Sequence, residues 1–256
     1  ALRAPSGRSM ARDASRGRPS AFRVRRVTTT RAGGASTGPY ASFNLGDHVG
    51  DDPAAVAANR RRLAAATGLG DDGIVWMDQV HGTRVEFVDD AGRTREATDG
   101  LVTTTPGLAL AVVTADCVPV LLADVRAGVV GAVHAGRVGA ANGIVPHALE
   151  VMLDTGAHVE DVSVLLGPAV SGRNYEVPDE MAAEVERSLP GSRTTTARGT
   201  AGLDLRAGIA AQLRTLGVTA IDIDPRCTVD DPALFSHRRD APTGRLASLV
   251  WLERRL

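Results

Sequence analysis

The stretch Leu108-Ala-Leu-Ala-Val-Val-Thr-Ala-Asp-Cys-Val-Pro-Val-Leu-Leu-Ala-Asp124, followed by Val129-Val-Gly-Ala-Val-His-Ala-Gly136, decides the fold. Leu108 to Thr114, Val118 to Ala123 and Val129 to Val133 are continuous apolar runs of strand length, rich in Val. A strand with one wet face alternates apolar and polar residues. Unbroken runs such as these belong to strands buried on both faces. A sheet of that kind needs further layers to cover it, so helices are expected elsewhere in the chain.

Working outward, Asp52-Pro53 opens one, with Asp as N-cap and Pro in the first turn. It runs through Ala54 to about Thr67 and ends near Gly68, with Asn59, Arg60, Arg61 and Arg62 on its polar face. A second helix is expected from Gly139 to Leu153, with a late start or a kink at Pro146. Two more cover Asp179 to Leu189 and Leu203 to Leu216. Further strands are expected at Phe22 to Thr30, Ile74 to Met77, Arg84 to Val88, Val162 to Leu166, Ile221 to Asp224 and Leu246 to Leu252. Asp89 to Gly100 and Phe235 to Asp240 read as polar loops. Strands and helices mix along the whole length without a linker-like break, which predicts one α/β domain over residues 22–256. Residues 1–21, rich in Arg, Ser, Gly and Pro, read as a disordered leader or as sequence upstream of the natural start, Met10 being one candidate start.

Composition narrows the chemistry. Of the 256 residues, 43% are hydrophobic, enough for a core without staples. The net charge of −1 argues against a nucleic-acid or membrane-surface role. All 29 basic residues are Arg; without Lys there is no Schiff-base or P-loop lysine chemistry. Anions must be bound by Arg, backbone N–H groups or a metal. The two cysteines, Cys117 and Cys227, are too few for a disulfide framework and suit a cytoplasmic protein. No apolar run reaches membrane-spanning length.

Rigid strand ends hold side chains that loops expose. His81 follows the Ile74 strand, Cys117 sits between two core strands, and His134 ends the Val129 strand. His, Cys and His suit zinc or copper, and three protein ligands leave a fourth position for water or substrate. The separations of 36 and 17 residues match no local metal motif, so a turn histidine and a small core cysteine stay open as alternatives. Asp116, beside Cys117, is either a proton-shuttling carboxylate or a hydrogen-bonded turn residue. Cys227 is expected to be structural, and Trp76 and Trp251 to lie in the core.

The segments Gln79-Val-His-Gly82, Asp99-Gly-Leu-Val-Thr103, Thr114-Ala-Asp-Cys117, Ala132-Val-His-Ala-Gly136, Gly167-Pro168 with Tyr175-Glu-Val177, and Phe235-Ser-His-Arg-Arg-Asp240 with Thr243-Gly-Arg245 resemble, in order, the YfiH-type laccase-domain family. Asn44-Leu-Gly46, Val49-Gly-Asp-Asp52 and Asn59-Arg60-Arg61 extend the likeness. The resemblance implies a single-domain layered sandwich of mixed β-sheets flanked by helices, related to a toxin deamidase domain. It implies a metal triad of His81, Cys117 and His134, with zinc, or possibly copper. It also implies purine nucleoside phosphorolysis on adenosine, inosine and methylthioadenosine, with adenosine deamination; polyphenol oxidation and peptidoglycan-precursor editing are the family's other attributed roles. One departure stands out: the family's His-Ala-Gly-Trp-Arg-Gly is His134-Ala-Gly-Arg137-Val138-Gly139 here.

With phosphorolysis in view, Cys117, His134 and Asp116 are the catalytic candidates, and Asn44, Arg60, Gln79 and Arg238 the substrate-binding ones. Arg61 and Arg239 are also open to phosphate; each Arg is otherwise a solvated helix or loop residue. The expected partners are a purine nucleoside and phosphate, with the protein a monomer or weak homodimer. A conventional multicopper oxidase needs histidines beyond one copper centre. The chain has six, of which His147 and His158 are expected to face solvent. His48, in a Gly-rich loop after Asn44-Leu-Gly46, is open either to a further active-site role or to an exposed loop position, the latter favoured. A metal-free hydrolase with Cys117 as nucleophile and His134 as base remains a rival.

Overall fold

The computed structural model describes residues 20–70 and 72–255, so the leader expected at 1–21 lies, through residue 19, outside the described residues. In chain order the elements are β1 (Phe22–Thr28), α1 (Pro53–Thr67), β2 (Ile74–Val75), β3 (Val85–Phe87), β4 (Gly100–Thr103), β5 (Ala109–Thr114), β6 (Val118–Asp124) and β7 (Val129–Ala135). They continue with α2 (Arg137–Ala141), α3 (Ile144–Asp154), β8 (Val162–Leu166), α4 (Asp179–Ser188), β9 (Arg193–Thr195), β10 (Ala201–Leu203), α5 (Leu205–Thr215), β11 (Ala220–Ile223), α6 (His237–Asp240) and β12 (Leu246–Arg254).

The long strands form two mixed sheets, one of order β1-β12-β5-β2 and one of order β11-β8-β6-β7-β4-β3, with β9 and β10 as a separate hairpin. The apolar runs are explained by where their alternate residues go. On β5, Leu110 and Val112 face the gap between the sheets, while Ala109, Ala111 and Val113 face the other way. On β6, Leu121 and Ala123 enter the same gap, while Val118, Val120 and Leu122 face the helices. The outer face of the four-stranded sheet packs with Leu63 and Ala64 of α1. That of the six-stranded sheet packs with Ile144, Ala148 and Met152 of α3 and Ile209 and Leu213 of α5. The result is a helix–sheet–sheet–helix sandwich in which the central strands β4, β5, β6, β7 and most of β12 are buried on both faces, as the unbroken Val and Leu runs require, while the edge strands β1, β3 and β11 are partly exposed.

Helix α1 follows its signals. Asp52 Oδ1 accepts from Ala54 N, Pro53 takes the first position, and Gly68 caps the end in the left-handed region at φ 73°. Asn59, expected on the polar face, is instead buried. Its amide donates to Ser36 Oγ and to the carbonyls of Ser42 and Asn44, and its Oδ1 accepts from Ala35 N, so it pins the Gly-rich loop to the helix. The helix expected over Gly139 to Leu153 is two helices broken at Asn142-Gly143, where Gly143 has φ 87°. Pro146 then falls in the first turn of α3, where its missing N–H costs no hydrogen bond. Trp251 is core, at 2% exposure, but Trp76 is only half-buried and carries the Arg60 guanidinium 4.1 Å above its ring. β4 begins at Gly100, where the expected loop ends, and supplies a fully buried strand where the sequence reading placed no element. The three-residue strands β9 and β10, and the one-turn α6, are too short to carry an apolar period that would reveal them.

Candidate active site

The β5–β6 connection, Ala115-Asp116-Cys117, crosses from one sheet to the other at the end where β7 finishes. The antiparallel register Val118↔Ala135 and Pro119↔His134 brings Cys117 beside the end of β7. The register Gly100↔Val133 brings Asp99 beside His134, whose backbone N–H donates to the Asp99 carbonyl at 2.8 Å. The loop after β2 supplies His81. The ligand atoms of His81, Cys117 and His134 all lie within 4.8 Å of one another, and the two imidazoles meet edge to face with centroids 4.7 Å apart.

One carboxylate organises both histidines. Asp99 is fully buried; its Oδ1 accepts from His134 Nδ1 at 2.8 Å and from His81 N at 3.0 Å, and its Oδ2 from Val80 N at 3.2 Å and Gly82 N at 2.8 Å. With Nδ1 bound there, Nε2 of His134 is the nitrogen left for the site. His81 sits at φ 60° and Asp116 at φ 97°, left-handed conformations that non-glycine residues adopt only when their surroundings hold them. Gly136 makes room: a Cβ there would stand 2.6 Å from His81 Cδ2 and 3.2 Å from Cys117 Sγ.

Burial pushes the Cys117 thiol up, but His134 beside it, with hydrogen bonds from both histidines, brings it down to about 6. Burial likewise lowers His134, and the Cys117 and Asp99 charges override it, raising the imidazole to about 9. Without a metal the two form a thiolate–imidazolium pair. The donor set fits a metal ion: two imidazoles and a thiolate, open on one side because His81 is exposed and Cys117 half-buried. The Cys117 Sγ to His81 Nε2 distance of 3.8 Å is close to the separation of about 3.6 Å that follows from tetrahedral zinc bonds of about 2.3 and 2.1 Å.

The three residues open into a cavity of about 510 Å³. Its walls include Gln79, Thr114, Asp116 and Leu205, together with His48, His237, Tyr175, Arg137, Arg238 and Arg245. Gln79 and Arg238, both expected to bind substrate, are therefore in the wall. The Gln79 amide is committed to the β5 edge, donating to Val113 O and accepting from Val113 N, both at 2.8 Å. Asn44 and Arg60 are not in the wall. Asn44 is buried, its Oδ1 accepting from Gly46 N and Arg245 N, and Arg60 donates to Leu45 O while pairing with Asp47 at 3.2 Å. Both shape the 44–48 loop that carries His48 to the cavity. Asp116 lines it, with its carboxylate engaged by Thr228 Oγ1, Ser236 Oγ and Arg238 N at 2.6, 2.7 and 2.7 Å. Arg239 donates to the carbonyls of Thr228, Val229, Asp231 and Leu234, while Arg61 is exposed outside the wall. Cys227 is buried, its Sγ accepting from Ser171 N and Asn174 Nδ2. His147 and His158 are exposed.

A family model described as multi-copper polyphenol oxidoreductase laccase matches residues 25–253. The chain is 74% identical over 232 residues to a protein of Mycobacterium tuberculosis H37Rv named purine nucleoside phosphorylase, covering 90% of this chain and 93% of that one. A Corynebacterium glutamicum protein of the same name is 59% identical over 232 residues, covering 90% and 94%. The crystal structure of YlmD from Geobacillus stearothermophilus matches with a TM-score of 0.85 at 33% identity, covering 92% of this chain and 100% of that one. YfiH from Bacillus licheniformis matches at 0.84 and 33%, covering 90% and 93%.

Proposed function

The chain belongs to the multi-copper polyphenol oxidoreductase laccase family, and we propose that its reaction is metal-dependent phosphorolysis of purine nucleosides rather than oxidation of phenols. One observation carries the reading: a single cavity holds a three-donor metal group and, in the same lining, a set of arginine side chains. The relatives named purine nucleoside phosphorylase support it. An oxidase of several coppers needs a second cluster of ligands. Among the described residues His81, Cys117 and His134 are the one such group.

In phosphorolysis the C1′–N9 bond breaks with its electron pair passing to the purine, a phosphate oxygen bonds to C1′, and a proton reaches the departing base. Charge builds on an oxocarbenium-like ribose and on the leaving purine. His81, Cys117 and His134 would hold the metal, with zinc the choice for a redox-inert task; bound, it would supply Lewis acidity and an acidified water. Asp99 fixes the tautomer of His134 and the path of the His81 loop. Arg238 contacts phosphate, Gln79 holds the wall against which the nucleoside lies, and Asp116 keeps the 228–238 segment in place. Adenosine, inosine and methylthioadenosine are the proposed nucleosides. The same site would deaminate adenosine with water as nucleophile and ammonia as leaving group. No described helix is long and apolar enough to cross a membrane, and we place the enzyme in the cytoplasm.

The test is to incubate metal-loaded protein with adenosine, with and without phosphate, and to resolve the products. Adenine and ribose 1-phosphate are expected only with phosphate, and inosine in both arms. Absence of both products overturns the proposal. A second reading has its own support: Asp99, His134 and Cys117 are in line as an orienting acid, a base and a thiolate, the arrangement of a cysteine hydrolase. Such an enzyme has no need of His81. Full activity of a His81→Ala variant stripped of metal would establish the hydrolase.

A further inference from the structure

The cavity that holds the metal group is also lined by three arginines. Arg137, at the first position of α2, Arg238, in α6, and Arg245, in the loop before β12, all line it. Among the described residues no carboxylate lies within ion-pair reach of any of the three guanidinium groups. The carboxylate in the same wall, Asp116, is held by three uncharged donors and acts on Arg245 through space without forming an ion pair. Arg245 spends one nitrogen on the carbonyls of Thr243 and Gly244.

Tyr175 lies beside two of the three. Its ring lies 4.9 Å under the Arg238 guanidinium, and Arg137 is near enough to its hydroxyl to favour the phenolate electrostatically. A half-buried aromatic that stacks one guanidinium and stands beside another limits the space open to both side chains before any ligand arrives.

We propose that Arg137, Arg238 and Arg245, with Tyr175 as the residue that positions Arg238, form a tetrahedral-oxyanion subsite in the same cavity as the metal group. Guanidinium forks match phosphate oxygens, and three cations in one cavity, half-buried at Arg137 and Arg245 and exposed at Arg238, none of them in an ion pair, favour a dianion. The phosphorolysis reading supplies the role of this subsite, inorganic phosphate being the nucleophile, but its existence does not depend on that reading. The same chemistry would accept the phosphate ester of a nucleotide.

Calorimetric titration of the metal-loaded protein with inorganic phosphate, adenosine and adenosine 5′-monophosphate tests the assignment. Arg137→Gln and Arg238→Gln are each expected to weaken phosphate binding by about ten-fold or more. Metal content and adenosine affinity should be unchanged. Tyr175→Phe should weaken phosphate binding less, at an unchanged thermal midpoint, as fits a positioning residue. Arg137→Lys, which keeps the charge but loses the fork, should recover only part of the affinity. Phosphate and adenosine binding side by side mark inorganic phosphate as the occupant, whereas a monophosphate that displaces both marks an ester. Unaltered phosphate affinity in Arg137→Gln and Arg238→Gln, or loss of metal together with phosphate, overturns the subsite. Should phosphate bind as expected while no nucleoside is cleaved, the phosphorolysis reading fails and the subsite stands. Should cleavage persist in Arg137→Gln and Arg238→Gln with the wild-type KM for phosphate, the reverse holds.

Discussion

Asp99 accepts four hydrogen bonds from the two histidine-bearing segments, so replacing it tests how far the metal group depends on its support. In Asp99→Asn the amide nitrogen cannot accept, so the His134 contact or two backbone donors lose their partner. Outer partners of metal ligands are worth about 10- to 100-fold in affinity, and a loss of that size is expected in a competition titration against a chromogenic chelator. Wild-type affinity would show that His134 and His81 are held by their backbones alone. Cys117 offers a second test on metal-free protein. Its thiol, lowered to about 6, is mostly thiolate at pH 7 and gains its proton as pH falls through that value. Iodoacetamide should therefore modify it readily at pH 7 and ever more slowly below pH 6, and added zinc should block the reaction. A rate that rises only above pH 8 would mean an ordinary thiol. His81, Cys117 and His134 were legible in the sequence because each stands where an apolar run stops. Asp99 was not, since an acid closing a polar stretch looks solvated until the β4–β7 register sets it beside His134. Arg137 drew notice as a departure from a family pattern, and Tyr175 only as part of a motif; the cavity they share comes from tertiary packing.

Between elements, close approach of backbone segments is what the site needs most. Gly136 links β7 to α2, and its missing side chain is the space that His81 and Cys117 occupy. Gly136→Ala would force the imidazole aside. Overpacking of this kind costs about 1–3 kcal/mol, so the protein should fold with its circular dichroism spectrum intact while metal stoichiometry falls well below one. Full occupancy would show that the β7–α2 turn yields instead. Asn59 binds α1 to the loop that leads to Asn44 and His48. Asn59→Ala leaves buried donors and acceptors without partners and should lower stability by about 2–3 kcal/mol, read as a shift in the urea midpoint at constant slope. A shift below measurement would mean that water replaces the amide. The limits of α1 were legible because Asp52, Pro53 and Gly68 signal by local chemistry. The inward turn of Asn59 was not, because its partners lie 15 to 24 residues away.

At the scale of the whole molecule, the buried runs of β5, β6 and β7 foretold a doubly covered sheet, but not that two sheets share the burial. Val and Leu of a single run divide between the inter-sheet gap and the helical layers, and periodicity cannot separate the two destinations when both are apolar. This division separates stability from chemistry. The gap holds Leu121 with Leu101, Leu110, Val112 and Val250, all fully buried, whereas the metal group sits at the sheet ends and is held by Asp99 and by the connections. Leu121→Ala should therefore cost about 2–5 kcal/mol, the transfer term plus an unfilled cavity, and lower the thermal midpoint accordingly. Metal affinity, measured at a temperature where the variant is fully folded, should stay at the wild-type value, because Cys117 precedes the β6 strand and its neighbours across the register are Ala135 and Gly136 rather than the gap residues. A variant that loses affinity in proportion to stability would show instead that packing between the sheets, and not the carboxylate at their ends, sets the spacing of the three ligands.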